Sequence, residues 1–545
     1  MIFDNTDIAL KAWTHGLAFR ELGINYKGSV IVEPDFASIQ LPNVAMTTQI
    51  KADTLPPAGI ELGINSDIIF DLARSMATAE KLSVKGPAGM QLSGNIVGKL
   101  LEGSPEISGS LVVDKLKIQG LLNALGQPPS QLGSLSHAAM ASNFSITNKK
   151  VKLNNFSLQL DDTNIKGVAF IDSIHKPVVG FDVVVDDLDL NRYLETQQNV
   201  KPSANSSNAP AIVSGTSVSK AAATNLKQTT VKPAMLPLAF LYNKHVYGKA
   251  VFGRLKVNKV VMRDLLIETT VNDGFVTLAP VTAKLYDGQL LSNIYFDLNK
   301  SEPHVKIATQ ITGLKAGDLF HDLTGEDKFK GLSNLSFEVA SSGSDNVSML
   351  KNLSGTMALD IENGEIHGFD LVEQIRTIYA VVGNQKEDGA TGKNLGAKAT
   401  QFSNLTGQAT IKNGVVKNED LVLTSDLLLL NGEGSVDLVA QEVDYIFNAD
   451  IYTTIKELNQ KEADKIKGLI VPIHIKGKFN NIGPPKIEKD DLSVLLGSAL
   501  NTKIVKDGLK KLGENEDIKK HINRLEEKFG GEIPVKKLLN GLFGL

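Results

Sequence analysis

Two pairs of adjacent carboxylates, Asp161-Asp162 and Asp186-Asp187, are the residues best suited by type to hold a metal or divide general acid and base roles. Both lie where apolar and polar residues alternate. Neighbouring side chains of a strand point to opposite faces, so neither pair converges on one site unless a turn intervenes. Their spacing fits a hairpin or a solvated edge. The 9 histidines are scattered without the i, i+4 spacing of a zinc-binding helix. Gly432-Glu433-Gly434 lacks the third glycine and the helix of a nucleotide fingerprint, and a strand bend accounts for it. No Gly-x-Ser-x-Gly elbow or phosphate loop is present. With 0 cysteines the chain has no disulfide, thiolate zinc site or cysteine nucleophile. The expectation is a protein that is not an enzyme, with no catalytic residues, no metal and no cofactor.

Composition excludes other classes. The 57 basic and 61 acidic residues nearly balance, which leaves no electrostatic case for nucleic acid. Aromatic residues make up 6% and Trp13 is the single tryptophan, so stacking platforms are few. No run of about 18 apolar residues occurs, and Met1-Ile2-Phe3-Asp4 leads straight into mixed sequence; the chain as written is expected to carry neither anchor nor export signal.

The elements that would have to position any site are strands. Leu353-Ser354-Gly355 opens a run in which Met357, Leu359 and Ile361 alternate with polar residues up to Asn363-Gly364, and Leu405-Thr406-Gly407 repeats the pattern through Ala409 and Ile411 to Asn413-Gly414. Asn-Gly between alternating runs signals a tight hairpin, because the turn needs positive φ at both central positions. Phe144 and Ile146 precede a turn at Asn148-Lys149, followed by Val151, Leu153, Phe156, Leu158 and Leu160; further turns are expected at Asp273-Gly274 and Asp287-Gly288. Val179, Phe181 and Val183, then Val305, Ile307 and Ile311, then Val443, Tyr445 and Phe447, continue the alternation. Strands with one apolar and one polar face imply a mainly β, antiparallel sheet with one wet side.

Helical spacing is expected at Lys117–Gly126, Lys315–Leu323 and Phe369–Val382, in a portion of Ile64–Met76, and as a short turn at Asp187–Leu194. The organisation that follows is a first β segment over 1–195, a disordered Ser/Asn/Ala/Thr-rich linker over 196–236, a second β segment over 237–486 and an amphipathic helical tail over 487–545. In the tail, Leu538, Leu539, Leu542 and Phe543 would touch a membrane or a partner, or cap the last sheet edge.

Several phrases resemble, in order, the AsmA family of bacterial cell-envelope proteins: Lys117–Gly126, Leu160-Asp161-Asp162-Thr163, Asp187–Leu194, Leu285-Tyr286-Asp287-Gly288, Asp322-Leu323-Thr324-Gly325, Gly364–Leu371, Leu423-Thr424-Ser425 and Gly432-Glu433-Gly434. The resemblance implies an elongated, twisted β-groove with a few covering helices, facing the periplasm from the inner membrane. It also implies a link to outer-membrane assembly and transport of phospholipid between the two membranes, as in chorein-type bridges. The resemblance also implies an inner-membrane anchor helix, which this chain as written is expected to lack. The lining of such a groove would be Phe144, Ile146, Phe156, Leu158, Val179, Phe181, Val183, Val305, Ile307, Ile311, Met357, Leu359, Ile361, Val443, Tyr445 and Phe447. The same residues would equally fill a sealed sandwich core. The protein would then be a periplasmic scaffold acting on outer-membrane protein assembly through envelope protein partners.

Overall fold

The structure is a computed structural model that describes residues 1–13, 20–53, 55–99, 105–126, 135–173, 176–193, 241–367, 399–426, 428–451, 470–479 and 481–482. The chain divides into two compact units, Met1–Asn258 and Lys259–Leu545.

The first unit contains β1 (Ile2–Trp13), β2 (Glu21–Val32), β3 (Ser38–Lys51), β4 (Ile60–Asp71), β5 (Met76–Lys85), β6 (Gln91–Lys99), β7 (Glu106–Lys117), α1 (Ile118–Ala124), β8 (His137–Ile146), β9 (Lys150–Leu160), β10 (Thr163–Asp172), β11 (Val178–Asp189) and β12 (His245–Val257). From β1 to β11 each strand pairs antiparallel with the next. β12 joins β11 in parallel, Val179 opposite Val246 and Val185 opposite Phe252. The second unit contains β13 (Val260–Asn272), β14 (Phe275–Leu285), β15 (Gly288–Asp297), β16 (His304–Lys315), α2 (Ala316–Thr324), β17 (Phe329–Ser342), α3 (Asn346–Lys351), β18 (Ser354–His367), β19 (Ala399–Lys412), β20 (Val415–Thr424), β21 (Leu428–Asp437), β22 (Glu442–Ile451), β23 (Ile470–Lys478) and β24 (Asn481–Ile482). Here too each strand pairs antiparallel with its successor. The fold is mainly β, an open antiparallel sheet with few and short helices, as the alternation predicts.

Three local expectations are corrected. Ile64–Met76 holds no helix: it is the end of β4, the turn after it and the first residue of β5. Asn363-Gly364 is not a turn but a bulge inside β18; Leu332 faces Glu362 and Lys330 faces Glu365, so two residues stand opposite Gly331. At Asp287-Gly288 the turn lies one residue earlier, with Tyr286 at φ 44 and Asp287 at φ 65, and Gly288 already pairs with Leu285. The other three turns form as expected, the one at Asn148-Lys149 closed by the Thr147 N–H donating to Lys150 O at 2.8 Å. Asp273 and Gly274 have φ 45 and 81, Asn413 and Gly414 φ 53 and 77, so both central residues take positive φ. The turn expected at Asp187–Leu194 is the 3-10 segment Leu190–Arg192. The linker over 196–236, the helix expected at Phe369–Val382 and the tail over 487–545 lie outside the described residues.

One junction recurs. Val113-Asp-Lys-Leu-Lys leads from β7 into α1, Val185-Asp-Asp-Leu-Asp from β11 into the 3-10 turn, and Ile311-Thr-Gly-Leu-Lys from β16 into α2. The three residues before the helical turns share one extended backbone: Lys117 at φ −82, ψ 103, Asp189 at φ −90, ψ 98, and Lys315 at φ −72, ψ 90. In the first and third, a positive-φ residue, Lys115 (φ 38) or Gly313 (φ 67), sits at a register shift just before the leucine. That bulge re-aims the strand end so that the helix leaves across it.

Candidate functional site

Cross-strand register decides which side chains share a face, because directly paired residues point the same way. In the first unit Ile107, Ile146, Val151, Ile171, Val179 and Val246 form one row across β7 to β12. The next row holds Phe144, Leu153, Ala169 and Phe181. Phe156 and Val183 flank Gly167 in the row beyond, and Met140, Leu158, Ile165 and Val185 make the fourth. All the lining residues proposed for this unit therefore stand on one face. A bulge at Asn155 (φ 49) adds one residue to β9 between Leu153 and Phe156 and keeps both on that face.

The second unit has the same construction. Val305 lies between Phe296 and Ser341, Ile307 between Ile294 and Val339, and Ile311 between Leu290 and Leu335. Leu335 continues to Leu359 and Phe337 to Met357. Ile361, Leu405, Leu423, Leu430, Ala449 and Val471 run straight across β18 to β23. Val443, Tyr445 and Phe447 share the face of Ala449 by their spacing along β22. The Tyr445 and Phe447 rings lie 4.8 Å apart above Gly434 and Gly432. A Cβ on Gly432 would come within 2.9 Å of the Phe447 ring, so these glycines clear space for aromatics in a regularly paired strand; the bend expected there is not needed.

Phe144, Phe156, Ile311 and Ile361 are buried; the other proposed lining residues keep part of their surface open to solvent. Several polar residues on the same faces are tied back to the protein, while Thr48 Oγ1 and Ser333 Oγ, also buried there, have no hydrogen-bond partner among the described residues. Ser66 Oγ donates to Glu80 O at 2.8 Å, Thr163 Oγ1 to Asp187 O at 2.7 Å, and Ser292 shares a hydroxyl contact of 2.8 Å with Thr309. Asn418 donates to Gln408 O at 2.7 Å and accepts from the Tyr445 hydroxyl. Their hydrogen-bonding capacity is turned inward, so they interrupt the apolar surface less than their names suggest. Burial, with Asp420 and Glu433 nearby, pushes the Tyr445 hydroxyl up to about 12.

The carboxylate pairs are structural ties. Asp161 accepts the His137 backbone N–H at 2.9 Å, while Asp162 pairs with Arg192 at 2.8 Å. Asp187 pairs with Arg254 at 2.8 Å. Burial pushes Asp186 upward, but the Asn164 side chain and backbone N–H donors outweigh it and hold the group below the ordinary aspartate value. No group of three or more metal-ligating side chains occurs among the described residues. A concavity of about 440 Å³ in the second unit opens mainly among Leu291, Asn293, Ala308, Gln310, Ser336 and Glu338, which alternate with the apolar set and so belong to the other face. Sequence reasoning did not find α2's role at the end of the apolar face, where Leu319 packs on Leu285, Ile311 and Leu314. Tyr286 donates to Asp322 of that helix at 2.5 Å. The recurring Leu-Lys before a helix was the available signal. Leu538, Leu539, Leu542 and Phe543 lie outside the described residues.

The model of the AsmA family matches residues 114–421, more than half of the chain. Protein AsmA of Escherichia coli (strain K12) is 20% identical over 219 residues, which is 40% of this chain and 35% of that protein; the chain thus matches about a third of the length of that relative.

Proposed function

The chain belongs to the AsmA family, and from that premise we propose that it is a non-enzymatic component of the bacterial cell envelope that carries phospholipid between the inner and outer membranes along its apolar faces. Such carriage supports outer-membrane biogenesis. One observation carries the reading: the alternating residues fall into register on a single face of each unit and mostly stay partly open. Moving two acyl chains of about 15 methylenes through water costs on the order of 20 kcal/mol at about 0.8 kcal/mol per methylene, so a carrier must offer continuous apolar surface. The row Ile107, Ile146, Val151, Ile171, Val179 and Val246, partly or fully exposed throughout, supplies it. No chemistry is required of the protein beyond that surface.

The test is to delipidate the purified chain, expose it to phospholipid vesicles, re-isolate it and extract it for mass spectrometry. Retained phospholipid is expected. A chain that stays empty under these conditions overturns the reading and favours action through envelope protein contacts.

A further inference from the structure

We propose that two adjoining turns of the first unit, β2–β3 and β4–β5, form a bilayer-contact site in which Phe36 and Leu72 insert. Phe36 is 57% exposed and Leu72 52%, and the turns are tied together by the Leu72 N–H donating to Ala37 O at 2.9 Å. Neither side chain is needed to make its turn, which the backbone and the neighbouring carboxylates hold. Asp35 accepts from the Ala37 N–H at 3.0 Å, and Asp71 accepts from the Arg74 N–H at 2.8 Å and pairs with its guanidinium at 3.1 Å. Phe36 is also held at φ 57, a left-handed conformation that suits glycine or asparagine and disfavours a bulky side chain. An aromatic kept exposed at a position where its backbone is strained points to a use outside the fold.

The chemistry selects the occupant. Phe36 and Leu72 sit at turn tips, where two apolar side chains can enter the acyl boundary of a bilayer without a shaped partner. Just inside them Ile39 and Phe70 pair across β3 and β4 at the start of the apolar face. The surrounding charges are Glu33, Asp35 and the Asp71–Arg74 pair, a net negative set that gives no attraction to anionic headgroups. Contact must therefore be apolar and insensitive to salt. This inference goes beyond lipid carriage and does not require it, since the turns could hold a bilayer whether or not the face carries lipid.

The experiment is vesicle flotation of the full chain with phosphatidylcholine alone and with added phosphatidylglycerol, at low and high salt. Flotation with phosphatidylcholine that salt does not change, and that is no stronger with added phosphatidylglycerol, is expected. Phe36→Asp/Leu72→Asp should weaken partitioning on the order of a hundredfold, from about tenfold for each side chain, with lipid retention after re-isolation unchanged. Phe36→Gly guards against misfolding: it relieves the left-handed strain, so it should melt no lower than the parent yet lose about tenfold in partitioning. Undiminished flotation of these variants overturns the proposal, as does binding confined to anionic vesicles and abolished by salt. Dimerisation of the parent that the double variant loses, with flotation unaffected, would assign the turns to a second copy instead.

Discussion

Two isoleucines four residues apart on β16 separate an open apolar face from a sealed one. Ile311 is 6% exposed and packs with Leu285 and Leu314 beneath Leu319 of α2. Ile307 stands on the same face between Ile294 and Val339, partly exposed. Ile311→Asp removes a buried side chain, at roughly 2–5 kcal/mol, and strands a carboxylate with no way to water, which adds several more. Against a typical total of about 5–15 kcal/mol that is enough to unfold the unit. Ile307→Asp leaves its carboxylate able to reach solvent, so the loss stays near the transfer term, about 1–3 kcal/mol. The expected result is a folded Ile307→Asp chain with an unfolding midpoint modestly below the parent and little retained phospholipid, beside an Ile311→Asp chain whose second unit shows no cooperative transition. Urea unfolding followed by circular dichroism reads the first, lipid extraction and mass spectrometry the second. If Ile307→Asp unfolds as completely as Ile311→Asp, Ile307 belongs to a closed core and the open-face reasoning is wrong.

Other outcomes follow from single groups. The folded state holds the Tyr445 proton more tightly than the unfolded state, which releases it near 10.0, so its contribution is complete below pH 10 and is lost as pH rises toward about 12; Tyr445→Phe should flatten the fall in urea midpoint over that window. Tyr286→Phe deletes the 2.5 Å bond to Asp322 and should cost about 1–2 kcal/mol, read by urea unfolding, with faster amide exchange in α2 than elsewhere in the unit. Gly414→Ala forces a side chain at φ 77 to within 2.4 Å of Leu350 O, and should destabilise by more than about 1 kcal/mol where Asn413→Gly is nearly neutral, both measured by thermal melting. Asp345 caps α3 through the Val347 and Ser348 N–H groups at 3.0 and 2.9 Å, so Asp345→Ala should cost about 1 kcal/mol in the same assay.

Strand identity was legible wherever alternation was clean. β22, Glu442–Ile451, covers the run in which Val443, Tyr445 and Phe447 alternate with polar residues, with one breach at Ile446. β4 was misread over Ile64–Met76 because Ser66 occupies an apolar-face position and Ile69 the opposite one, which breaks the period of two. The structure resolves the conflict locally: Ser66 is 5% exposed and satisfied by Glu80 O, so the strand keeps its register despite a polar residue inward. Asn-Gly was a sound turn signal at 413–414 and a false one at 363–364 for one physical reason. The dipeptide specifies positive φ, and both a hairpin turn and a bulge require it. Which one forms depends on whether the partner strand continues past the site, and β19 does, pairing Gly364 with Phe402.

The face itself was legible for the same reason that its bulges were not. A bulge inserts one residue, so an apolar pattern of i, i+2, i+4 becomes i, i+2, i+5, as at Val151, Leu153 and Phe156. Read as strict alternation that step would send Phe156 to the wet side; read as a bulge, with Asn155 at φ 49, it returns Phe156 to the row of Gly167 and Val183. Asn43, Lys81, Lys115 and Asp264 sit at comparable shifts in β3, β5, β7 and β13. Each is polar and exposed, and each lies between two apolar-face residues of its strand. Bulges bend the bulged strand and increase its twist. Their recurrence lets long strands coil while the rows of the apolar face stay on the same side. A one-sided apolar surface that must remain both continuous and partly open needs that combination, and a flat sheet of strict alternation would lack it.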